Sequence, residues 1–126
     1  MPARKIALRR RSIARAGWRT AELRARRLVR VRAGGRCEAV VSAEVCLGRA
    51  TNFHHRKPRS LGGEWSAANG LQVCGSGTTG CHGWITANPA GARAKGWSVS
   101  SYADPALVSV HYRGREVLLP ESGEEP

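Results

Sequence analysis

Apolar and polar residues follow one another along this chain in short, changing patterns, which predict one helix near the N-terminus and several small elements after it. The segment AELRARRLVRVRA consists of good helix formers and ends at two glycines, a common helix stop. Thr20 precedes it as a suitable N-cap, and Glu22 lies in the first turn, where the helix dipole favours an acid. The sequence therefore predicts a helix capped at Thr20.

The two faces of this helix are predicted to differ. Apolar side chains should turn toward the rest of the domain, and these are Leu23, Leu28, Val29 and Val31. A row of arginines remains on the outer face, where it is either a solvated surface or a contact along a phosphate backbone. This row consists of Arg24, Arg27 and Arg30.

After the helix, shorter patterns predict a small mixed domain. ATNFHH and LQV have the composition of short strands, and the loop KPRSLGGEWSAANG between them is rich in Pro, Gly and Ser. The stretch from Cys81 to Ala87 predicts a brief helix. Asn88 and Pro89 then predict the cap and first residue of a second helix, which stops near Gly96. VSVHYRGREVLLP predicts a C-terminal β-hairpin, so the fold class is α+β.

Charge divides the chain unevenly. Residues 1–32 hold 12 of the 21 Lys and Arg residues and one of the nine acidic residues, and the remaining residues are almost neutral. Residues 1–19 predict a flexible basic arm, residues 20–119 one folded domain, and residues 120–126 an acidic tail. A basic arm on a nearly neutral domain suggests a polyanion partner, most commonly nucleic acid, and a merely solvated tail is the alternative.

Two absences bear on location. No stretch reaches the roughly 18 apolar residues needed to cross a bilayer, and the N-terminus MPARKIALRRR lacks the apolar segment of a secretory signal. An Arg-rich organelle transit peptide is the alternative interpretation of that N-terminus. We therefore expect a cytoplasmic protein that has no membrane partner. Its cysteines should be reduced thiols, and clustered thiols of this kind are first interpreted as metal ligands.

The cysteines bracket the predicted strands and the first short helix. Small, turn-forming residues separate the last two, as a metal knuckle requires, and four thiolates are the ligand count of a closed structural zinc site. Their spacing is wider than in a typical zinc ribbon, so buried thiols without a metal are the alternative. A site closed by four thiolates has no open position, and its zinc would contribute folding energy only. The set is Cys37, Cys46, Cys74 and Cys81.

The histidines are therefore the candidates for chemistry. His54 and His55 are adjacent on a predicted strand and should point to opposite sides, so one is free to bind a metal while the other faces a substrate. His82 follows the last cysteine and should enter the first turn of the helix. Trp65 in the loop would either touch DNA or cover the site. Basic side chains after the histidine pair are candidates for holding a phosphate, namely Arg56, Lys57 and Arg59.

Three segments together point to a known family. HHRKPRSLGG, AANGLQVC and GCHGW, in this order and spacing, resemble the signature of the HNH endonucleases, especially their phage and actinobacterial members. The resemblance covers about residues 35–96 and implies a zinc-stabilised ββα-metal domain, the His-Me finger. It implies that His54 and His82 bind a catalytic metal. It also implies that His55 is the general base, that Asn69 orients the loop and with it the His55 ring, and that the cysteines hold the structural zinc.

The activity that this resemblance implies is metal-dependent hydrolysis of phosphodiester bonds in DNA, by nicking or by double-strand cleavage. A histidine base can activate water near neutral pH, and a divalent ion, whether magnesium, manganese, nickel or zinc, neutralises charge at the phosphate. Many relatives carry a further histidine one helical turn after the first, where this chain has Thr86, and this should weaken metal binding. A zinc-stabilised nucleic-acid-binding module without catalysis is the alternative. The resemblance makes DNA the partner, suggests phage packaging proteins as another, and implies a bacterial host cell.

Overall fold

The computed structural model describes residues 3–126, with side chains described from residue 17 onward. A long N-terminal helix is followed by two β-hairpins with two short helices between them, which confirms the predicted α+β class. Short 3-10 helices lie at Arg59–Leu61 and Pro105–Leu107. The helices and strands in chain order are α1 (Ala3–Ala33), β1 (Asn52–His55), β2 (Gly70–Val73), α2 (Gly80–Ala87), α3 (Pro89–Ala94), β3 (Val110–Tyr112) and β4 (Arg115–Val117).

Helix α1 is longer than predicted, because it begins at Ala3 and not at a cap on Thr20. Residues 3–19 of the predicted flexible arm are thus part of this helix, and residues 1 and 2 lie outside the described residues. Residues 3–19 are mostly Ala, Arg, Leu and Ile, whose intrinsic helix propensity does not depend on packing against another element. The single glycine, Gly17, costs only about 1 kcal/mol. Among the described residues, neither α1 nor any other helix combines the length and apolar character needed to cross a membrane.

The buried stripe of α1 differs in part from the prediction. Ala25, Val29 and Ala33 are buried and are spaced by four residues, so they share one face of the helix. Leu23 and Val31 were predicted to face the domain but are 55% and 72% exposed. Each lies two residues from the stripe, which turns it roughly 160° away. The predicted outer row is exposed as expected, at Arg24, Arg27 and Arg30.

A buried ion pair ties the end of α1 to the first hairpin. The Arg32 guanidinium contacts both carboxylate oxygens of Glu38, at 2.6 and 3.0 Å, and also donates to the carbonyls of Ala67 and Gly70. The Glu38 carboxylate in turn accepts from the backbone N–H of Gln72. A buried pair of this kind is favourable only when its remaining donors and acceptors are satisfied, as they are here. It therefore orients α1 on the edge of β2.

The central unit is a hairpin followed by a helix. Strands β1 and β2 pair antiparallel, with His54 opposite Leu71 and His55 opposite Gly70. A side chain at position 70 would not fit, because the Phe53 ring and Val29 of α1 occupy the space that the Cβ of any residue other than glycine would need. Helix α2 follows β2 after a short loop. The core beneath this unit contains three of the cysteines together with Leu71, Val73, Ile85, Trp97, Val110, Tyr112 and Leu119.

The C-terminal hairpin forms at the predicted place. Strands β3 and β4 pair antiparallel through His111 opposite Glu116. Arg113 and Gly114 form the turn with positive φ angles of 49° and 85°, the backbone of a type I′ turn that suits a two-residue hairpin loop. The Arg113 side chain donates to the carbonyl oxygens of Ala33, Arg36 and Cys37, so this hairpin is fastened to the end of α1.

Two candidate metal sites

The four cysteines meet in one cluster, as predicted. Their Sγ atoms all lie within 4.8 Å of one another, and the Sγ atoms of Cys46 and Cys74 are 3.9 Å apart. Four thiolates around one zinc at about 2.3 Å have neighbouring sulfurs roughly 3.8 Å apart. Cys37, Cys74 and Cys81 are buried and Cys46 is half-buried. The cluster is therefore consistent with a structural zinc site.

Backbone amides surround this cluster and point at the sulfur atoms. Cys74 Sγ accepts from the N–H groups of Leu47 and Cys81, each at 3.3 Å, and Cys81 Sγ accepts from Val41. Cys37 Sγ and Cys46 Sγ accept from further backbone amides at 3.4 Å. Donors of this kind favour the thiolate, which is the form that binds metal. A hydrogen bond from Cys81 also lowers the pKa of Cys37, and the same contact raises the pKa of Cys81.

Two glycines allow the loop between the last two cysteines to turn this tightly. Gly75 and Gly80 have φ angles of 85° and 61°, a region that L-residues rarely adopt. A Cβ on Gly75 would overlap the backbone of Thr79 and Gly80. The loop CGSGTTGC therefore depends on its glycines to bring Cys74 and Cys81 within reach of one ion.

The histidines form a second, smaller site. His54 on β1 and His82 in the first turn of α2 approach each other with ring centroids 5.7 Å apart. His54 Nε2–H donates to the carbonyl oxygen of Trp97 at 2.6 Å, which leaves its Nδ1 lone pair free. His82 Nδ1 is buried and has no hydrogen-bond partner among the described residues. A buried, unpaired ring nitrogen is costly unless something outside this set of contacts satisfies it.

The spacing of the two rings fits a shared metal ion. Imidazoles that bind one ion at 2.0–2.1 Å place their ring centres roughly 5–6 Å apart, as His54 and His82 do. A metal-binding histidine also usually donates its other ring N–H to a carbonyl or carboxylate, as His54 does to Trp97. Burial lowers the pKa of His54 to about 4, so the ring is neutral and able to coordinate. Across residues 17–126, the cysteine cluster is the only set of three or more grouped metal-ligand side chains, so this pair supplies two ligands.

His55 lies on the opposite side of β1 from the pair, beneath aromatic side chains. Its ring is 4.2 Å from the Trp65 ring and 5.0 Å from the Phe53 ring, centroid to centroid. Its Nε2 atom is buried and has no hydrogen-bond partner in the described part of the chain. Burial, followed by the charges of Arg59 and Arg26, lowers the pKa of His55 to about 4. The ring is thus neutral and can accept a proton.

Asn69 fastens the loop that carries Trp65. Its Oδ1 accepts from the backbone N–H of Lys57 at 2.7 Å, and its Nδ2 donates to the carbonyls of Lys57 and Glu64 at 3.0 and 2.9 Å. The side chain is almost fully buried and its hydrogen bonds are satisfied within the loop. Because Glu64 directly precedes Trp65, Asn69 fixes the backbone next to the indole that packs on His55. The orienting role in catalysis that the family resemblance implies for Asn69 stays a prediction.

The structure corrects the prediction for Arg56. This residue was expected to hold a phosphate, but its side chain is completely buried. Its guanidinium donates to backbone carbonyls on three segments, those of Gly96, Ala68, Pro105, Val108 and Ser109. Burial lowers its pKa to about 10, so it stays protonated at neutral pH. Arg56 therefore holds the end of β1 against the segment before Trp97 and is not available to DNA.

The other predicted basic residues lie at the surface in different settings. Lys57 lines a cleft whose other charged side chains are Glu64, Asp104 and Glu121, an acidic setting for a phosphate contact. Arg59 is exposed and stacks on two indoles. On α1, Arg24, Arg27 and Arg30 are exposed and available to a polyanion. The site thus has its basic groups on α1 and at Arg59.

Sequence reasoning missed three contributors to this region. The Trp97 carbonyl that holds His54 is a backbone group, and no sequence pattern predicts its position. Trp18 and Arg26 were missed because the helix was expected to begin at Thr20 with an apolar inner face. The Arg26 guanidinium lies 4.7 Å from the centre of the Trp65 ring, and an alternation of aromatic and basic residues was the only signal available.

Comparison with other proteins does not assign this chain to a family. No protein-family model matches it, and no curated protein or solved structure is similar enough to be counted as a match. The chemical case rests on the site alone. It offers a cluster of four cysteines, a pair of imidazoles in which His82 Nδ1 is buried and unpaired among the described residues, and a third imidazole on the opposite face of the same strand.

Proposed function

We propose that this protein is a metal-dependent endonuclease that hydrolyses phosphodiester bonds in DNA. The observation that carries the proposal is the pairing of His54 with His82 at metal-sharing distance, one ring held by the Trp97 carbonyl and the other with a buried, unpaired Nδ1. His55, the next residue on the same strand, supplies a neutral base on the opposite side of β1. The order of strand, strand and helix around these three rings, β1, β2 and α2, agrees with the resemblance to HNH endonucleases.

The two sites have different roles in this proposal. The cysteine cluster holds a structural zinc, which joins the segment after α1 to the start of α2 and so places His82. His54 and His82 hold a second divalent ion, magnesium, manganese, nickel or zinc. When bound, that ion acts as a Lewis acid that neutralises charge on the phosphate during hydrolysis.

The residues of the chain supply the proton transfer and the positioning. His55 Nε2 accepts the proton of the attacking water, since the ring is neutral and this nitrogen has no hydrogen-bond partner among the described residues. Because this atom is buried in the free protein, water reaches it only after a neighbouring side chain such as Trp65 moves. Asn69 holds the backbone of the loop next to Trp65, whose ring packs on His55. The arginines on the outer face of α1 provide sequence-independent affinity for the DNA backbone.

A second candidate function is a zinc-stabilised nucleic-acid-binding module without catalysis. Thr86 supports it, since this exposed residue stands one turn after His82 and its hydroxyl only donates to the His82 carbonyl at 3.0 Å. Two imidazoles bind a divalent ion more weakly than three. Metal content separates the candidates, because the binding module contains one tightly held zinc, whereas the nuclease takes up a second, weaker ion.

Cleavage of supercoiled plasmid tests the proposal directly. Purified protein is incubated with plasmid in magnesium and then in manganese, beside metal-free samples and the His55→Ala variant. His111→Ala is the matched control, because this histidine lies on β3 outside the site. We expect metal-dependent nicked or linear product that His55→Ala loses and His111→Ala keeps.

The opposite result would favour the second candidate. If the wild-type protein retards the plasmid but never cuts it in either metal, the histidines are not catalytic. Equal cleavage by wild type and His55→Ala would retain a nuclease but remove His55 as its base.

A further inference from the structure

An aromatic and cationic stack lies next to His55, between α1 and the loop that joins β1 to β2. The Arg59 guanidinium sits between two indoles, with its Cζ 4.5 Å from the centre of the Trp18 ring and 5.5 Å from that of Trp65. Arg26 covers the Trp65 ring at 4.7 Å. Because Trp65 also contacts His55, the stack leads from the surface of α1 to the proposed base.

A cleft of about 390 Å³ opens beside this stack. It is bounded by Trp18, Arg59 and Trp65, and small residues leave its floor open. A Cβ on Gly17 or Gly62 would meet nothing within 4 Å. Trp18 is 63% exposed although Arg59 lies against one of its faces, so the other face of the indole is open to solvent. An exposed indole face beside free space is a platform for a flat ring.

The charges around the cleft suit a nucleotide. Within residues 17–126, the Arg59 side chain has no hydrogen bond or ion pair, so its N–H groups remain available to a phosphate. Glu64 also lines the cleft, and a carboxylate there can accept from the amino group of a base. The exposed arginines of α1 continue the positive surface away from the cleft, at Arg24, Arg27 and Arg30.

We propose that this cleft binds an unpaired nucleobase of a DNA strand, with the base stacked on Trp18 and its phosphate held by Arg59. Within a duplex, neighbouring pairs cover both faces of a base, so only an unpaired or extruded base can stack on an indole. The preferred substrate is then DNA with a single-stranded or locally opened segment. This substrate preference rests on the proposed nuclease function, but binding in the cleft does not depend on cleavage.

The test compares single-stranded with double-stranded binding in buffer without added divalent metal. The probe is a 12-nucleotide strand with one central 2-aminopurine, used alone and annealed to its complement. Binding is measured by anisotropy, and stacking by quenching of the 2-aminopurine fluorescence. Trp18→Ala is compared with Trp18→Phe, which keeps a stacking ring, and with Leu23→Ala, which truncates another exposed residue of α1 outside the cleft.

We expect Trp18→Ala to weaken single-strand binding roughly tenfold and to abolish quenching, the loss of one base–aromatic stack. Duplex binding should change less than about twofold, since it depends on phosphate contacts elsewhere. Trp18→Phe should recover most of the single-strand affinity, and Leu23→Ala should match the wild type. Thermal unfolding monitored by circular dichroism checks that each variant is folded.

Unchanged single-strand binding by folded Trp18→Ala would overturn the inference, as would equal losses for single strand and duplex. The plasmid assay distinguishes this failure from failure of the nuclease proposal. His55-dependent cleavage without any effect of Trp18 on strand preference would remove the base site alone. Trp18-dependent binding without cleavage in any metal would remove the nuclease and leave the base site.

Discussion

The cysteine cluster and the histidine pair lie on the same small scaffold but are completed in opposite ways. Every cysteine sulfur accepts at least one backbone N–H, and a zinc ion in the cluster would take all four of its ligands from the chain. The histidine pair supplies two rings, and the Nδ1 atom of His82 has no partner within residues 17–126. A closed set of ligands holds a structure together, whereas an incomplete set leaves positions for water and substrate.

The two sites also depend on each other unequally. The last cysteine and His82 are adjacent at the start of α2, so the cluster determines where the helix-borne histidine stands. The histidine pair does not position the cysteines in return, since its other member, His54, is held by the Trp97 carbonyl. We therefore expect changes to the cysteines to remove both sites and changes to the histidines to remove only one.

The largest effect is expected for Cys81→Ser. A structural zinc site contributes about 10–16 kcal/mol in small zinc domains, which is more than a domain of this size can lose. The variant should lose its zinc and its cooperative unfolding transition, as measured by zinc content and circular dichroism. Ser76→Ala is the matched control, because Ser76 lies in the same loop and is not a ligand. A Cys81→Ser protein that stays folded without zinc would end the assignment of the cluster as a folding device.

The second largest effect is expected for Arg56→Met, which removes the buried guanidinium at the end of the strand that carries His54 and His55. Without the guanidinium, buried carbonyls of Gly96, Ala68, Pro105 and Val108 lose their donor, and we expect a loss of about 3–5 kcal/mol in the free energy of unfolding. Urea denaturation measures this loss. Arg93→Met, at an exposed arginine, should change stability by less than about 0.5 kcal/mol. Equal effects of the two substitutions would show that the buried network is dispensable.

Some of this organisation was predictable from sequence, and the reasons are physical. Short-range signals found the strands, the two short helices and the turn at Arg113 and Gly114, because caps, prolines and turn residues act locally. The gathering of the cysteines followed from their chemistry. Arg56 was misjudged because the same basic residue suits a phosphate or a set of buried carbonyls, and only the packing of distant segments decides between them.

The start of α1 and its inner face were missed for a different reason. Helix formers without an apolar stripe can still be helical, and a stripe of Ala25, Val29 and Ala33 is less conspicuous than Leu23 or Val31. The partners of the histidines were beyond sequence reasoning altogether. Trp97 contributes a main-chain oxygen, and the stack on Trp65 joins residues from α1 and a distant loop.

His82→Ala tests the independence of the two sites. Removing one of two ligands should weaken binding of the second divalent ion at least about 100-fold, more than the loss of a supporting contact does. Zinc content and thermal stability should stay close to wild type, since the ring is not part of the cysteine cluster. Calorimetric titration with manganese into zinc-loaded protein measures the affinity. His111→Ala should bind like the wild type, and the same outcome for His82→Ala would remove the histidine pair as a metal site.

The smallest effect is expected for Thr86→His, which adds a ligand to the incomplete site. Residue 86 is exposed and lies four positions after His82, on the same face of α2, so a new imidazole there projects beside the His82 ring. A third ring should tighten manganese binding by roughly tenfold, because affinity rises with the number of imidazole ligands. Thr86→Leu has similar bulk without a ligand atom and should leave the affinity unchanged. If both substitutions behave alike, the site between His54 and His82 does not hold a metal, and the contrast between a closed and an open site no longer stands.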